Sequence, residues 1–273
     1  MERIVKFDTL GTTFIPKIFE ERDWLDLFGN FEDPIEELVK EFYYNDRFTG
    51  VELKCWVWGT KFSINADYIA KVLCITRLEN VDWTPYDDRV LQAQNILQVL
   101  GNEHEVGSTE SSIVIAWFSP ELTTLKLIMF SNLYPLSNTA FISLGRVKFL
   151  CDLIFGVPIN ICAHIFQIIG KTAARSATRT ILPFYSLIMK IILREGVSPS
   201  SDEKIVPRPR PISIYTLQAS KSHSFKKPKS EPSTHASPSA HATITHVQST
   251  GTPSVPPGFE IAKQSHIIAN VFH

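Results

Sequence analysis

Acidic side chains are the first candidates for chemistry in this sequence of 273 residues. Nucleases and transposases hold two Mg²⁺ ions about 3.5–4 Å apart with a small set of carboxylates. Five aspartates are candidates for such a set: Asp67, Asp82, Asp87, Asp88 and Asp152. No spacing or strand context marks three of them as a group, so we interpret them as solvated or helix-capping acids.

Cysteine and histidine are the next candidates, as metal ligands or nucleophiles. A structural zinc site needs about four Cys or His ligands, and Cys162-x-His164 is the only closely spaced Cys–His pair. The pair lies in an apolar stretch, which indicates a buried cysteine beside a packed histidine. Phosphate-binding glycine loops and the Gly-x-Ser-x-Gly motif are absent from the sequence. We therefore expect no catalytic residue, no cofactor and no metal, and a protein that is not an enzyme.

Basic residues give a stronger signal, because they are concentrated in the second half of the chain. Residues 1–125 contain 11 Lys/Arg against 22 Asp/Glu, whereas residues 126–195 contain 8 against 2. Lys171, Arg175 and Arg179 recur every four residues, so in a helix they would share one face that could contact nucleic-acid phosphates. A solvated face, or a counter-surface for the acidic first half, is the alternative interpretation of this trio.

The composition changes sharply near Gly196. Ten of the 17 prolines lie between residues 198 and 258, where proline blocks regular structure. Few apolar side chains occur there to offset the entropy of ordering the backbone. We predict a folded domain over residues 1–197 and a disordered Ser/Pro/His/Lys-rich tail over residues 198–273. Within this tail, Lys226, Lys227 and Lys229 fit a short nuclear-import pattern.

Charges interrupt the first 14 residues, so they do not form a secretory signal, and the four cysteines are scattered. Both observations predict an intracellular protein, and the import pattern makes the nucleus one candidate compartment. The most apolar stretch, 153–170, is broken by Gly156 and Pro158, which predicts two buried helices and not a membrane span.

Helices must build most of the folded domain. Asp33 as N-cap and Pro34 at the first position predict a helix over residues 34–44, with apolar residues at helical spacing. Residues 51–64 alternate in polarity around a glycine turn, which predicts a hairpin. Asn65 is the predicted cap of the next helix. Four apolar segments are long enough for helices: 121–133, 139–155, 159–169 and 181–194. The expected fold class is mainly α, a multi-helix globular body with one small β-hairpin and a disordered C-terminal tail.

Five segments in order resemble a known family: ERDW at 21–24, ELVKEFYYN at 37–45, INADYIAKVLCI at 64–75, NLYPLSNTAFISLGRVKFLCDLIFGVPINI at 132–161 and LPFYSLIMKIILREGV at 182–197. Over residues 14–197 the chain is similar to the plant transposon protein domain family. It departs from the family pattern at Leu125, where a tryptophan is usual, and at Leu182-Pro183, where Phe-Pro is usual. The resemblance implies an origin in mobile elements and a body plan, and it brings no reaction or catalytic residue.

The resulting hypothesis is a non-enzymatic, mobile-element-derived protein that contacts protein or nucleic acid through its basic second half. Three alternatives stay open on the sequence alone. They are a degenerate transposase or nuclease remnant, a capsid-like retroelement assembly protein, and a product without a selected role.

Overall fold

The structure, a computed structural model, describes residues 1–29, 32–45, 47–78, 112–114, 118–135, 141–174, 182–200 and 202–224. Its α-helices in these ranges are α1 (Ile15–Glu20), α2 (Glu36–Tyr44), α3 (Ala66–Leu73), α4 (Pro120–Ile128), α5 (Leu144–Ile154), α6 (Ile161–Ala173), α7 (Tyr185–Arg194) and α8 (Ile214–Ser224). Two short 3₁₀-helices cover Phe7–Leu10 and Leu25–Phe28. A π-helix over Met129–Leu133 continues α4. In the described part of the chain, no helix is long and apolar enough to cross a membrane.

The predicted hairpin is confirmed, but it belongs to a larger sheet. Strands β2 (Leu53–Val57) and β3 (Thr60–Ile64) pair in antiparallel orientation, and the short strand β1 (Arg47–Phe48) extends the sheet in the order β1-β2-β3. Trp58 and Gly59 connect β2 to β3 with φ angles of 45° and 77°. Positive φ at both central residues is typical of the tight turn that matches the twist of two antiparallel strands.

A second sheet corrects the mainly helical prediction for residues 139–155. Strand β4 (Ser112–Val114) pairs with β5 (Phe141–Ser143), and α5 begins only after β5 ends. The protein is therefore mainly helical, with two small antiparallel sheets in the described ranges where the sequence predicted one hairpin. The break at Gly156 follows the prediction, since α5 ends at Ile154 and α6 begins at Ile161.

The start of α2 differs from the sequence prediction by two residues. Asp33 was expected to cap the helix, but α2 begins at Glu36 after an extended Ile35. The backbone of this segment pairs elsewhere: Ile35 bridges Ile205, and the Pro34 carbonyl accepts a hydrogen bond from the Val206 N–H at 2.8 Å. Pairing with this remote segment thus holds the backbone in an extended conformation where local signals favour a helix. By contrast, Asn65 caps α3 as predicted, since its Oδ1 accepts from the Tyr68 N–H at 2.8 Å.

One contiguous apolar core joins the helices and the three-stranded sheet. Glu2 is one of the charged residues buried in the described part of the protein, where it is only 2% exposed. The Glu2 Oε1 accepts hydrogen bonds from the N–H groups of Ser186 and Leu187, at 2.9 and 3.1 Å, in the first turn of α7. A carboxylate at a helix N-terminus satisfies donors that have no partner within the helix. Burial raises the pKa of this carboxyl group above its ordinary value, and the two backbone hydrogen bonds oppose that shift.

Residues 202–224 lie against the body, and we call them the C-terminal strap. Arg208 pairs with Asp33 at 2.9 Å, and Ile212 exchanges backbone hydrogen bonds with Ile4 and Lys6. Helix α8 then packs on α4 and buries Leu217. The compact unit therefore extends to Ser224, beyond the boundary predicted after residue 197. The remainder of the predicted tail, 225–273, lies outside the described residues.

Candidate nucleic-acid interface

The solvent face of the three-stranded sheet carries the candidate site. Strand β2 alternates strictly between buried and exposed positions, as expected for a strand with one face on the core. The register places Lys54 between Arg47 and Ser63, and it pairs Trp56 with Lys61. Directly opposed residues of antiparallel strands project to the same face. Arg47, Lys54, Trp56 and Lys61 are exposed together on this side, and we call these four the cationic face.

The opposite side of the sheet fixes the position of the cationic face. The ring of Phe62 on β3 lies 6.3 Å, between centroids, from that of Phe42 on α2. At the β2–β3 turn, the Trp58 N–H donates to Glu41 Oε1 on α2 at 3.0 Å. The hairpin is therefore attached along its length and at its tip, and it lies flat on the body instead of projecting from it.

The side chains of the cationic face interact closely with one another. The Lys61 Nζ lies 5.1 Å from the centroid of the Trp56 ring, within cation–π range. Half of the Trp56 side chain is exposed to solvent. Lys54 Nζ lies 3.7 Å from Glu52 Oε2, in a pair that is largely solvated and therefore weak. A groove of about 550 Å³ runs over this surface.

Three cations and one exposed indole on a single face favour an anionic, partly aromatic ligand. Lys and Arg neutralise phosphates, and an exposed tryptophan offers a surface for a nucleobase. The surrounding chain makes this surface distinctive, because residues 1–125 are acidic overall. The cationic face is therefore not a by-product of a generally basic domain.

The trio predicted from the sequence is only partly placed by the structure. Lys171 is exposed in the last turn of α6, while Arg175 and Arg179 lie outside the described residues. The end of α6 lies beside β1, because Gly170 packs against the ring of Phe48. Lys171 thus borders the same sheet that carries the cationic face. Lys226, Lys227 and Lys229 also lie outside the described ranges.

Several other ionic groups in the described ranges have structural partners. Arg146 lies over the Tyr134 ring, 4.4 Å from its centroid, and Lys148 forms an ion pair with Asp152. Asp67 pairs with Arg77 on the surface. Asp82, Asp87 and Asp88 lie outside the described ranges. Among the residues that the structure describes, no three His, Cys, Asp or Glu side chains are grouped so that they could hold a metal ion.

Cys162 and His164 are core residues, as the sequence indicated. Cys162 is 1% exposed, and burial raises the pKa of its thiol to about 11. The His164 ring is stacked on Phe149, with 4.8 Å between centroids, and meets Tyr134 edge-on at 4.6 Å. Burial, with smaller contributions from Arg146 and Lys171, lowers the pKa of His164 to about 3.

This buried imidazole predicts an acid-sensitive fold. Because the folded-state pKa of His164 is below the unfolded value of about 6.5, only the unfolded state takes up the proton between these values. The part of the folding stability that depends on a neutral His164 is therefore complete above about pH 6.5, and it is lost progressively as the pH falls toward about 3. We expect the free energy of unfolding to drop by about 2 kcal/mol between about pH 6.5 and 5 from this group.

The measurement is urea unfolding at several pH values for wild type and His164→Leu, which keeps a similar volume without a titrating group. The variant is expected to lose this part of the pH dependence. If the free energy of unfolding depends on pH equally in the two proteins over this range, His164 is not the source of the acid sensitivity.

The cationic face is not among the sites predicted from the sequence, although part of its signal is present there. The alternation over residues 51–64 was used to predict a hairpin, and the same alternation places Lys54 and Trp56 on one side. The placement of Arg47 and Lys61 on the same side follows only from the strand register, which pairs Lys54 with Arg47 and Trp56 with Lys61. The register of β1 depends on a strand of only two residues, for which the sequence carries no distinctive pattern.

Comparison with known proteins shows to which family the chain belongs. No curated protein and no solved structure matches the chain. A family model described as "Putative plant retrotransposon-related domain" matches residues 20–198, which include the cationic face and exclude the C-terminal strap. This match agrees with the resemblance that the five sequence segments carry. Since the model covers more than half of the chain, the protein belongs to this plant retrotransposon-related family.

Proposed function

We propose that this domain is a non-enzymatic nucleic-acid-binding module that contacts phosphates through the cationic face. The observation that carries the proposal is the grouping of Arg47, Lys54 and Lys61 around an exposed Trp56 on one side of a sheet. A ligand held by about three phosphate contacts is released by salt, because cations compete for the phosphates. For a single strand, such contacts give a loss of affinity of roughly twentyfold between about 50 and 200 mM salt.

The test compares two variants of the full chain that lose the same charge. Lys54→Gln/Lys61→Gln removes two cations of the cationic face, and Lys17→Gln/Lys204→Gln removes two exposed cations elsewhere. Fluorescence anisotropy with a labelled oligonucleotide is measured over a salt series. We expect about a fivefold weaker affinity and a shallower salt dependence for the first variant, and little change for the second. Equal effects of the two variants would contradict the placement of the site.

The same samples distinguish the alternative functions. Cleavage of the oligonucleotide in Mg²⁺ or Mn²⁺ would contradict the non-enzymatic part of the proposal and favour a nuclease remnant. Concentration-dependent particles in light scattering, without oligonucleotide binding, would favour a capsid-like assembly protein. Binding without cleavage or particles supports the proposal.

A further inference from the structure

We infer that the cationic face binds single-stranded nucleic acid, with one base stacked on Trp56. This inference rests on the proposed function and adds the class of nucleic acid to it. It starts from the exposure of Trp56, which is half solvent-accessible although it lies on the central strand of the sheet and pairs with Lys61 on β3. A large aromatic side chain that stays exposed on a rigid strand provides a surface for stacking at a low entropic cost.

The neighbours of Trp56 suit a base that is attached to a phosphate chain. Lys61, directly across the ladder, lies over the indole in the free protein. Its long exposed side chain can rotate away from the ring toward a phosphate when a base takes its place. Lys54 lies two residues from Trp56 on the same strand, about 7 Å away. Arg47 continues this row on β1. The cations are thus placed beside the aromatic ring, where the backbone of a stacked nucleotide would run.

Duplex nucleic acid fits this surface less well. In a duplex the faces of the bases are stacked on each other, so none but the terminal bases is available to Trp56. A two-stranded ribbon can instead enter the major groove of DNA, but such a ribbon has to project from the protein. Here the turn is held to α2 by the hydrogen bond from Trp58 to Glu41, and the inner face packs through Phe62 on Phe42. The sheet is therefore a flat platform, which is the geometry that single-strand binding uses.

The experiment compares four ligands of about 12 nucleotides with the full chain. They are single-stranded RNA, single-stranded DNA of the same sequence, the corresponding DNA duplex, and an abasic sugar-phosphate chain. We expect each single strand to bind about tenfold more tightly than the abasic chain, because only the single strands supply a base for stacking. The RNA and DNA strands distinguish the two sources of a single-stranded ligand.

Two tryptophan variants locate the stacking surface. Trp56→Ala is expected to reduce single-strand affinity by about tenfold, to the level of the abasic chain, and Trp56→Phe is expected to retain most of it. Trp58→Asn is the matched control, because Trp58 is exposed to a similar degree (42%) but lies in the turn, and asparagine tolerates its positive φ. Near-ultraviolet circular dichroism verifies that each variant is folded.

The outcomes separate the inference from the proposed function. If the duplex and the abasic chain bind as tightly as the single strands, stacking on Trp56 is refuted while phosphate binding by the cationic face stands. An equal loss for Trp56→Ala and Trp58→Asn also refutes the inference. If none of the four ligands binds at low salt, both the inference and the proposed function are wrong.

Discussion

A chain that ends at Ser198, where the family match ends, is expected to be unfolded or aggregated. The removed strap contributes Ile212 and Leu217 to the core, at 0% and 1% exposure. Burial of two such side chains contributes about 3–6 kcal/mol. The strap also supplies backbone hydrogen bonds to Ile4 and Lys6 and the Arg208–Asp33 pair. A loss on the order of 5 kcal/mol or more is comparable with the total stability of a typical domain.

The matched control is a chain that ends at Ser224, the limit of the compact unit. Both chains are compared with the full protein by soluble yield and by urea unfolding followed through tryptophan fluorescence. We expect the longer chain to keep the cooperative transition of the full protein and the shorter chain to have none. Ile212→Ala in the full chain gives an intermediate, with an expected cost of about 2–5 kcal/mol. A cooperative, unshifted transition in the shorter chain would show that the strap adds no stability.

Local signals predicted those elements whose determinants are close in sequence. The Asn65 cap, the glycine turn of the hairpin and the break between α5 and α6 all depend on residues within a few positions of one another, and the structure has each of them. The strap was missed because composition is averaged over a window. Its apolar residues are few and stand near three prolines, yet Ile212 and Leu217 are buried against the body.

Contacts between remote segments were beyond a local analysis for a physical reason. Glu2 carries no local signal for its role, since it caps α7 from 184 positions away in the chain. Local signals place Ile35 in a helix, but a backbone bridge to Ile205 holds it in an extended conformation. In both cases the free energy comes from pairing with a partner that no periodicity identifies. The same limit applies to the cationic face, whose side chains come from three strands.

Gly170→Leu is expected to destabilise the protein by about 3 kcal/mol, the second largest effect that we predict. In most helices, replacing an interior glycine by leucine is favourable by a few tenths of a kcal/mol or more. Here a Cβ atom at residue 170 would overlap the ring of Phe48 on β1. That ring is held in turn by Phe166, at 5.7 Å between centroids, so it cannot move without disturbing the core. Overlap therefore outweighs helix propensity.

The ring of Phe48 also connects residue 170 to the cationic face, since Phe48 adjoins Arg47 on β1. Phe48→Ala removes the obstruction, so the double variant Gly170→Leu/Phe48→Ala exchanges one large side chain for another at the same contact. We expect its free energy of unfolding to be at least about 1 kcal/mol higher than the sum of the two single-variant losses predicts, because the two residues are in contact. Ala174→Leu, at an exposed position one turn further on, is the control and should cost little. Strict additivity in this cycle, measured by urea unfolding, would mean that α6 and β1 do not meet at Gly170. Coupling would instead identify Gly170 as the residue that lets α6 approach the sheet closely enough to hold β1, and with it Arg47, in the row of cations.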